Sequence, residues 1–218
     1  MCNLYSVHLT QADIRRVFDV EHDLAGNLPV MPAVFPDQLA PVVRLRDGAR
    51  ELLRMRWGFP PPPKVGNHPV TNVRNTASPF WRAWLKPEFR VLVPLTSFCE
   101  YEDTKPRKTP TWFALADDRP AFAFAGIWRP WKGARGPKAD AAEGEHQLFS
   151  FLTTDANAEV APVHPKAMPV ILTTPEDYAT WLTAPIEEAL KLQRPLADGA
   201  LTIVARGERS DERPGEAA

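Results

Sequence analysis

The stretch QLAPVVRLRDGARELLRMRWGF (38–59) decides how this chain folds. Two apolar-rich arms flank Asp47-Gly48. An Asp-Gly pair accepts the positive φ angles of a two-residue turn, so the stretch reads as a β-hairpin. Short apolar runs continue beyond it: RVLVPL (90–95), SFCEYE (97–102), TWFALA (111–116), AFAFAGIW (121–128) and QLFSFLTT (147–154), with LTIVA (201–205) as a last strand. Their lengths and spacing fit a sandwich or barrel. Helical signals are few. Thr10 caps LTQADIRRVF with Asp13 three residues on, as in a capping box. Ser78-Pro79 opens SPFWRAWL and Thr174-Pro175 opens TPEDYATWL, each placing proline at the first helical position. PIEEALKLQ (185–193) is a short amphipathic segment. The pattern predicts an α+β class: a β-rich single domain over 1–205, with a twisted barrel-like sheet arrangement and a few short peripheral helices. GARGPKADAAEGE (133–145) and the tail 206–218 are expected to be disordered on composition.

Composition narrows the partners. With 218 residues, 44% hydrophobic, the chain suffices for one generous core. No apolar run reaches the roughly 18 residues of a membrane span, and no basic-then-apolar leader opens the chain. A cytoplasmic, monomeric protein without membrane contact is expected. The two cysteines are expected as thiols. Cysteine and histidine show no metal-ligand spacing, so neither metal nor cofactor is expected. The net charge of −1 hides an asymmetry. Residues 54–138 hold 15 basic against 6 acidic residues, and the remainder holds 11 against 21. Six of the seven tryptophans, including Trp57 and Trp81, lie in the basic stretch. Cations interleaved with aromatic rings suit a surface that tracks phosphates and stacks bases. Tryptophans of a β-rich core are the alternative.

Candidate chemistry sits at a few points. Cys2 directly follows Met1 in MCNLYS. Loss of Met1 would leave an α-amine and a thiol on adjacent carbons, a pair that closes on an aldehyde to a five-membered thiazolidine. A small apolar residue leading into the first strand is the alternative. Asn72 and Arg74 in NVRN share one face of an extended chain and can hold an amine or carbonyl and a phosphate. Glu100 interrupts an apolar strand and marks either a strand end or a pocket carboxylate suited to proton transfer. His164, between a polar loop and MPVIL, can shuttle protons or serve as a structural hydrogen-bonding residue.

Taken in order, Met1-Cys2, Trp57-Gly58-x-Pro60, Asn72-x-Arg74, Phe80, RVLVP, Phe98-x-Glu100-Tyr101, AFAFAGIW, FLTTDAN and His164 ahead of Met168-Pro169 resemble the SOS-response-associated peptidase (SRAP) family of abasic-site shielding proteins. The resemblance runs from residue 1 to about 205. It implies a protein that removes its own Met1 and bonds covalently, through Cys2, to the ring-opened aldehyde of an abasic site in single-stranded DNA. It also implies lyase-like and autopeptidase chemistry. By resemblance Asn72 holds the amine or sugar, Glu100 is the acid/base, and His164 assists. The resemblance implies that Arg74 binds the flanking phosphate and that Lys166 stands in for an arginine; Trp57 and Trp81, from the basic, aromatic-rich stretch, are expected to contact the DNA with them. Asn3 and Leu4 stand where the family pattern has Gly and Arg, NVRNT replaces N-A-R-x-E-T, and HPKAMP is one residue longer than H-D-R-M-P. A cysteine peptidase acting on other proteins and a non-covalent single-strand binding module are the competing functions.

Overall fold

A computed structural model describes residues 2–62, 68–136 and 141–212. Its strands in chain order are β1 (Leu4–Val7), β2 (His22–Asp23), β3 (Met31–Val34), β4 (Leu39–Arg46), β5 (Ala49–Trp57), β6 (Asn72–Val73) and β7 (Arg90–Leu95). There follow β8 (Ser97–Glu102), β9 (Thr109–Ala114), β10 (Phe122–Arg135), β11 (Ala142–Thr154), β12 (Met168–Pro169), β13 (Ile171–Leu172) and β14 (Thr202–Arg206). The helices are α1 (Gln11–Val17), α2 (Pro79–Arg82), α3 (Pro175–Thr183) and α4 (Ile186–Ala189). The β-rich expectation is borne out.

The opening hairpin is β4–β5, with Arg46 opposite Ala49. Asp47 and Gly48 both take positive φ, 52° and 84°, which matches the right-handed twist of the flanking strands. The hairpin lies inside a nine-stranded sheet, whose path runs β12-β11-β10-β7-β4-β5-β2 with β6 and β13 attached beside it. A five-stranded sheet, β14-β9-β8-β1-β3, packs against it. Tyr5, Phe98 and Phe113 from the smaller sheet join Trp57, Phe124 and Phe151 from the larger in one buried core. Thr10, Ser78 and Thr174 cap their helices as expected.

Arg90 is the unexpected core residue, at 1% exposure. Its guanidinium donates to the carbonyls of Leu85, Trp181 and Ala184 at 2.7–2.9 Å. It thereby satisfies carbonyls that the end of α3 leaves without intrahelical partners. Burial lowers its pKa to about 10, which leaves it charged at neutral pH.

Two expectations of disorder are corrected. Most of 133–145 forms the outer part of the β10–β11 hairpin, with Gly133 opposite Gly144 and Arg135 opposite Ala142; residues 137–140 lie outside the described part. The segment 206–212 is folded against the smaller sheet, and Asp211 is 1% exposed. Asp211 accepts from Ser97 Oγ at 2.5 Å and from Arg119 Nε at 2.8 Å. Composition could not show these long-range partners. The expected disorder of residues 213–218 concerns residues outside the described part.

Candidate active site at the N-terminus

Three pieces of backbone converge on the start of β1. β1 is held between β3 and β8. The pairing of Leu4 with Cys99 and of Tyr5 with Phe98 brings the chain entering β1 alongside Glu100. The second piece is β6. After Trp57 the chain turns away at Gly58, whose φ is 114°, and returns through a Phe59–Val70 bridge. It then runs parallel to β11, with Asn72 opposite Phe151. The third is the turn 164–167 ahead of β12, which carries His164.

Asn72 Nδ2 donates to the Cys2 carbonyl at 2.8 Å and to Thr71 Oγ1 at 2.7 Å. Thr71 Oγ1 in turn donates to Asn3 Oδ1 at 3.1 Å. Asn3, where the sequence leaves the family pattern, therefore helps hold the N-terminal segment. Asn72 Oδ1 is buried and has no hydrogen-bond partner among the described residues. That leaves an acceptor for an amine or hydroxyl in the site.

Glu100 is 2% exposed. Burial pushes its carboxyl up to about 7, because a carboxylate loses water's solvation there. His164 Nδ1 lies 3.9 Å from Glu100 Oε2 and 2.8 Å from the Ala167 carbonyl oxygen. A carbonyl only accepts, so Nδ1 carries the proton and Nε2 is the basic nitrogen in neutral His164. Burial, together with the nearby positive charges of Lys166 and Lys108, lowers the imidazole pKa below 6.5. Near pH 7 the pair thus offers a substantially protonated carboxyl beside a neutral imidazole.

The Cys2 thiol is fully buried and donates to the Leu4 carbonyl at 3.4 Å. Burial first, and the Glu100 charge second, push its pKa well above the usual value.

The structure sorts the remaining candidates. Trp57 is fully buried, 5.3 Å from the Phe151 ring and 5.0 Å from Tyr5. It does not present a face to a base. Instead its Nε1 donates to the Thr71 carbonyl at 3.2 Å, directly beneath Asn72. Trp81 is 8% exposed and packs on Phe59 and Phe80, so it too is a core ring. Arg74 is half exposed but ion-paired with Asp155. Lys166 is exposed near His164. Thr71 and Lys108 were missed, because no local pattern marks a threonine or a turn lysine as a neighbour of residues distant in sequence. Among the described residues no cluster of ligating side chains can hold a metal, and no helix is long and apolar enough to cross a membrane.

This β-rich domain ties its second residue to a buried amide and sets a buried carboxyl and an imidazole beside one another at its N-terminus. The family model described as SOS response associated peptidase (SRAP) matches residues 1–206, and the chain belongs to that family. It is 28% identical to "Abasic site processing protein YoqW" of Bacillus subtilis, over 84% of this chain and 80% of that protein. It is 27% identical to "Abasic site processing protein YobE" of the same organism, over 84% of this chain and 82% of that one. Among solved structures, one from Bordetella bronchiseptica superposes with a TM-score of 0.73 at 24% identity, covering 93% of this chain and 98% of its own. One from Bacteroides thetaiotaomicron gives 0.71 at 21% identity, covering 93% and 90%. These two likenesses concern the fold.

Proposed function

We propose that this protein processes abasic sites in single-stranded DNA by closing a thiazolidine between Cys2, freed of Met1, and the aldehyde of the ring-opened sugar. The convergence of Asn72, Glu100 and His164 on the N-terminal segment carries the reading. The names of the two Bacillus relatives agree with it.

The chemistry is redox-neutral. The free α-amine, with an ordinary pKa of about 8, adds to the C1′ aldehyde, and the carbinolamine loses water to give an imine. Protonated Glu100 gives its proton to the departing hydroxyl. The thiol sulfur then bonds to the imine carbon. The thiol proton ends on the ring nitrogen, with His164 Nε2 or the Glu100 carboxylate as its carrier. One water is lost in all. Asn72 holds the amine end. The same Schiff base gives the lyase-like character implied by the family.

A cysteine peptidase acting on other proteins needs a thiolate in an open cleft; a buried thiol with a raised pKa supports that reading less. The test is intact mass before and after incubation with an oligonucleotide bearing one abasic site. The expected protein lacks Met1, and the expected product is protein plus oligonucleotide minus one water. Cys2→Ala should give none; an adduct persisting in that variant refutes the mechanism.

A further inference from the structure

Away from this site, the turn between β8 and β9 and the segment after β14 enclose a cavity of about 570 Å³. Its lining includes Lys105, Arg107 and Lys108 from the turn, Arg209 from the C-terminal segment, and Tyr101. The four cations are exposed, and none forms an ion pair among the described residues. No carboxylate lines the cavity among those residues. Cations gathered without counter-charges repel one another, and a bound anion relieves that repulsion.

The two walls are tied in place. Thr104 Oγ1 lies 2.6 Å from both the Arg107 carbonyl and Thr109 Oγ1. Across the cavity, the Gly207 N–H donates to the Pro110 carbonyl at 2.8 Å and Trp112 Nε1 donates to the Glu208 carbonyl at 2.9 Å. The buried Asp211 anchors the end of the segment through Arg119 and Ser97. Arg209 is therefore presented between fixed points. It also lies beyond residue 206, where the family match ends.

The location favours the substrate strand as ligand. Tyr101, in the cavity lining, is the immediate chain neighbour of Glu100 on β8. Lys108 lies near enough to His164 to lower its pKa. Leu4 is buried and Arg74 is engaged by Asp155, which leaves Lys166 as the exposed cation beside His164. We propose that this cavity binds backbone phosphate of the single strand beside the lesion, with Arg107 and Arg209 as the principal ligands. The proposal rests on the abasic-site reading above.

The test compares wild type with Arg107→Gln/Arg209→Gln, and with Lys105→Gln/Lys108→Gln as an independent pair. Affinity for an undamaged oligonucleotide of about a dozen nucleotides is measured against salt. Each lost phosphate contact on a single strand flattens the log–log slope by about 0.7, so a double variant should lose between about 0.7 and 1.4. Reaction of the variants with free 2-deoxyribose, which offers the aldehyde without any phosphate, should match wild type. A wild type that crosslinks while both variants keep its salt slope overturns this proposal alone. A wild type that neither crosslinks nor binds the strand overturns the functional reading as well. Inorganic phosphate is titrated in parallel; saturable binding lost in the variants, with oligonucleotide slopes unchanged, assigns the cavity to a free phosphate compound and overturns the strand assignment.

Discussion

The side-chain amide of Asn72 donates a 2.8 Å hydrogen bond to the main-chain carbonyl of Cys2. This bond joins the N-terminal segment to β6, which is itself held in parallel register on β11. Asn72→Ala strands a buried carbonyl, at a cost of about 1–3 kcal/mol. The expected outcome is a lower melting temperature and an abasic-site crosslinking rate reduced at least tenfold. A variant that melts lower but crosslinks at the wild-type rate would give Asn72 a purely structural part.

Glu100 predicts an unusual pH dependence of stability. Its folded pKa of about 7 stands above its ordinary 4.5. Between those values the folded protein holds a proton that the unfolded chain has released, so stability falls as pH rises from about 4.5 to 7. The span corresponds to a loss on the order of 3 kcal/mol. Glu100→Gln should remove it, melting close to wild type at pH 5 and above wild type at pH 8. Thermal melts at the two pH values decide the point.

The same proton should appear in the kinetics. Above about pH 7 the acid form of Glu100 is depleted, so the ratio of wild-type to Glu100→Gln crosslinking rates should decline with pH, approaching tenfold per unit. A ratio constant from pH 6 to 9 would remove Glu100 as the acid.

The buried Cys2 thiol, whose pKa lies above the usual range, should resist alkylation in chains that retain Met1. Alkylation by iodoacetamide at pH 8 should be at least tenfold slower in the folded protein than after denaturation. Peptide mapping separates Cys2 from Cys99, which is buried as well.

Gly58 couples backbone strain to the site. Its φ of +114° is one that side-chain-bearing residues rarely adopt, and a Cβ there would come within 2.5 Å of Pro69 Cβ. Gly58→Ala should destabilise by roughly 2 kcal/mol or more. It should also slow crosslinking, because the same backbone leads through the Phe59–Val70 bridge to Asn72. Denaturant titration beside a crosslinking assay reads both.

Much of this molecule was written locally. Asp47-Gly48 dictated the β4–β5 turn, and Thr10, Ser78 and Thr174 dictated helix starts, because turn angles and caps depend on a few adjacent residues. The order of Cys2, Asn72, Glu100 and His164 pointed to the family, and with it the candidate site. What those residues do to one another was decided by tertiary structure. The raised pKa of Glu100 and the covered thiol of Cys2 arise from burial under strands distant in sequence, whereas the Nδ1 proton of His164 is fixed locally by the Ala167 carbonyl. Trp57 shows the division most plainly. Its place among basic residues suggested a base-stacking surface, whereas the fold closes β5 against β11 and turns the ring into the floor under Asn72. The C-terminal segment is the converse case. Its polar composition suggested disorder, yet one carboxylate, Asp211, finds Arg119 and Ser97 across the sheet and holds it down. Sequence by itself determined the turns, the caps and the family; only the packing of distant strands decided which side chains lost water, and desolvation is what set their chemistry.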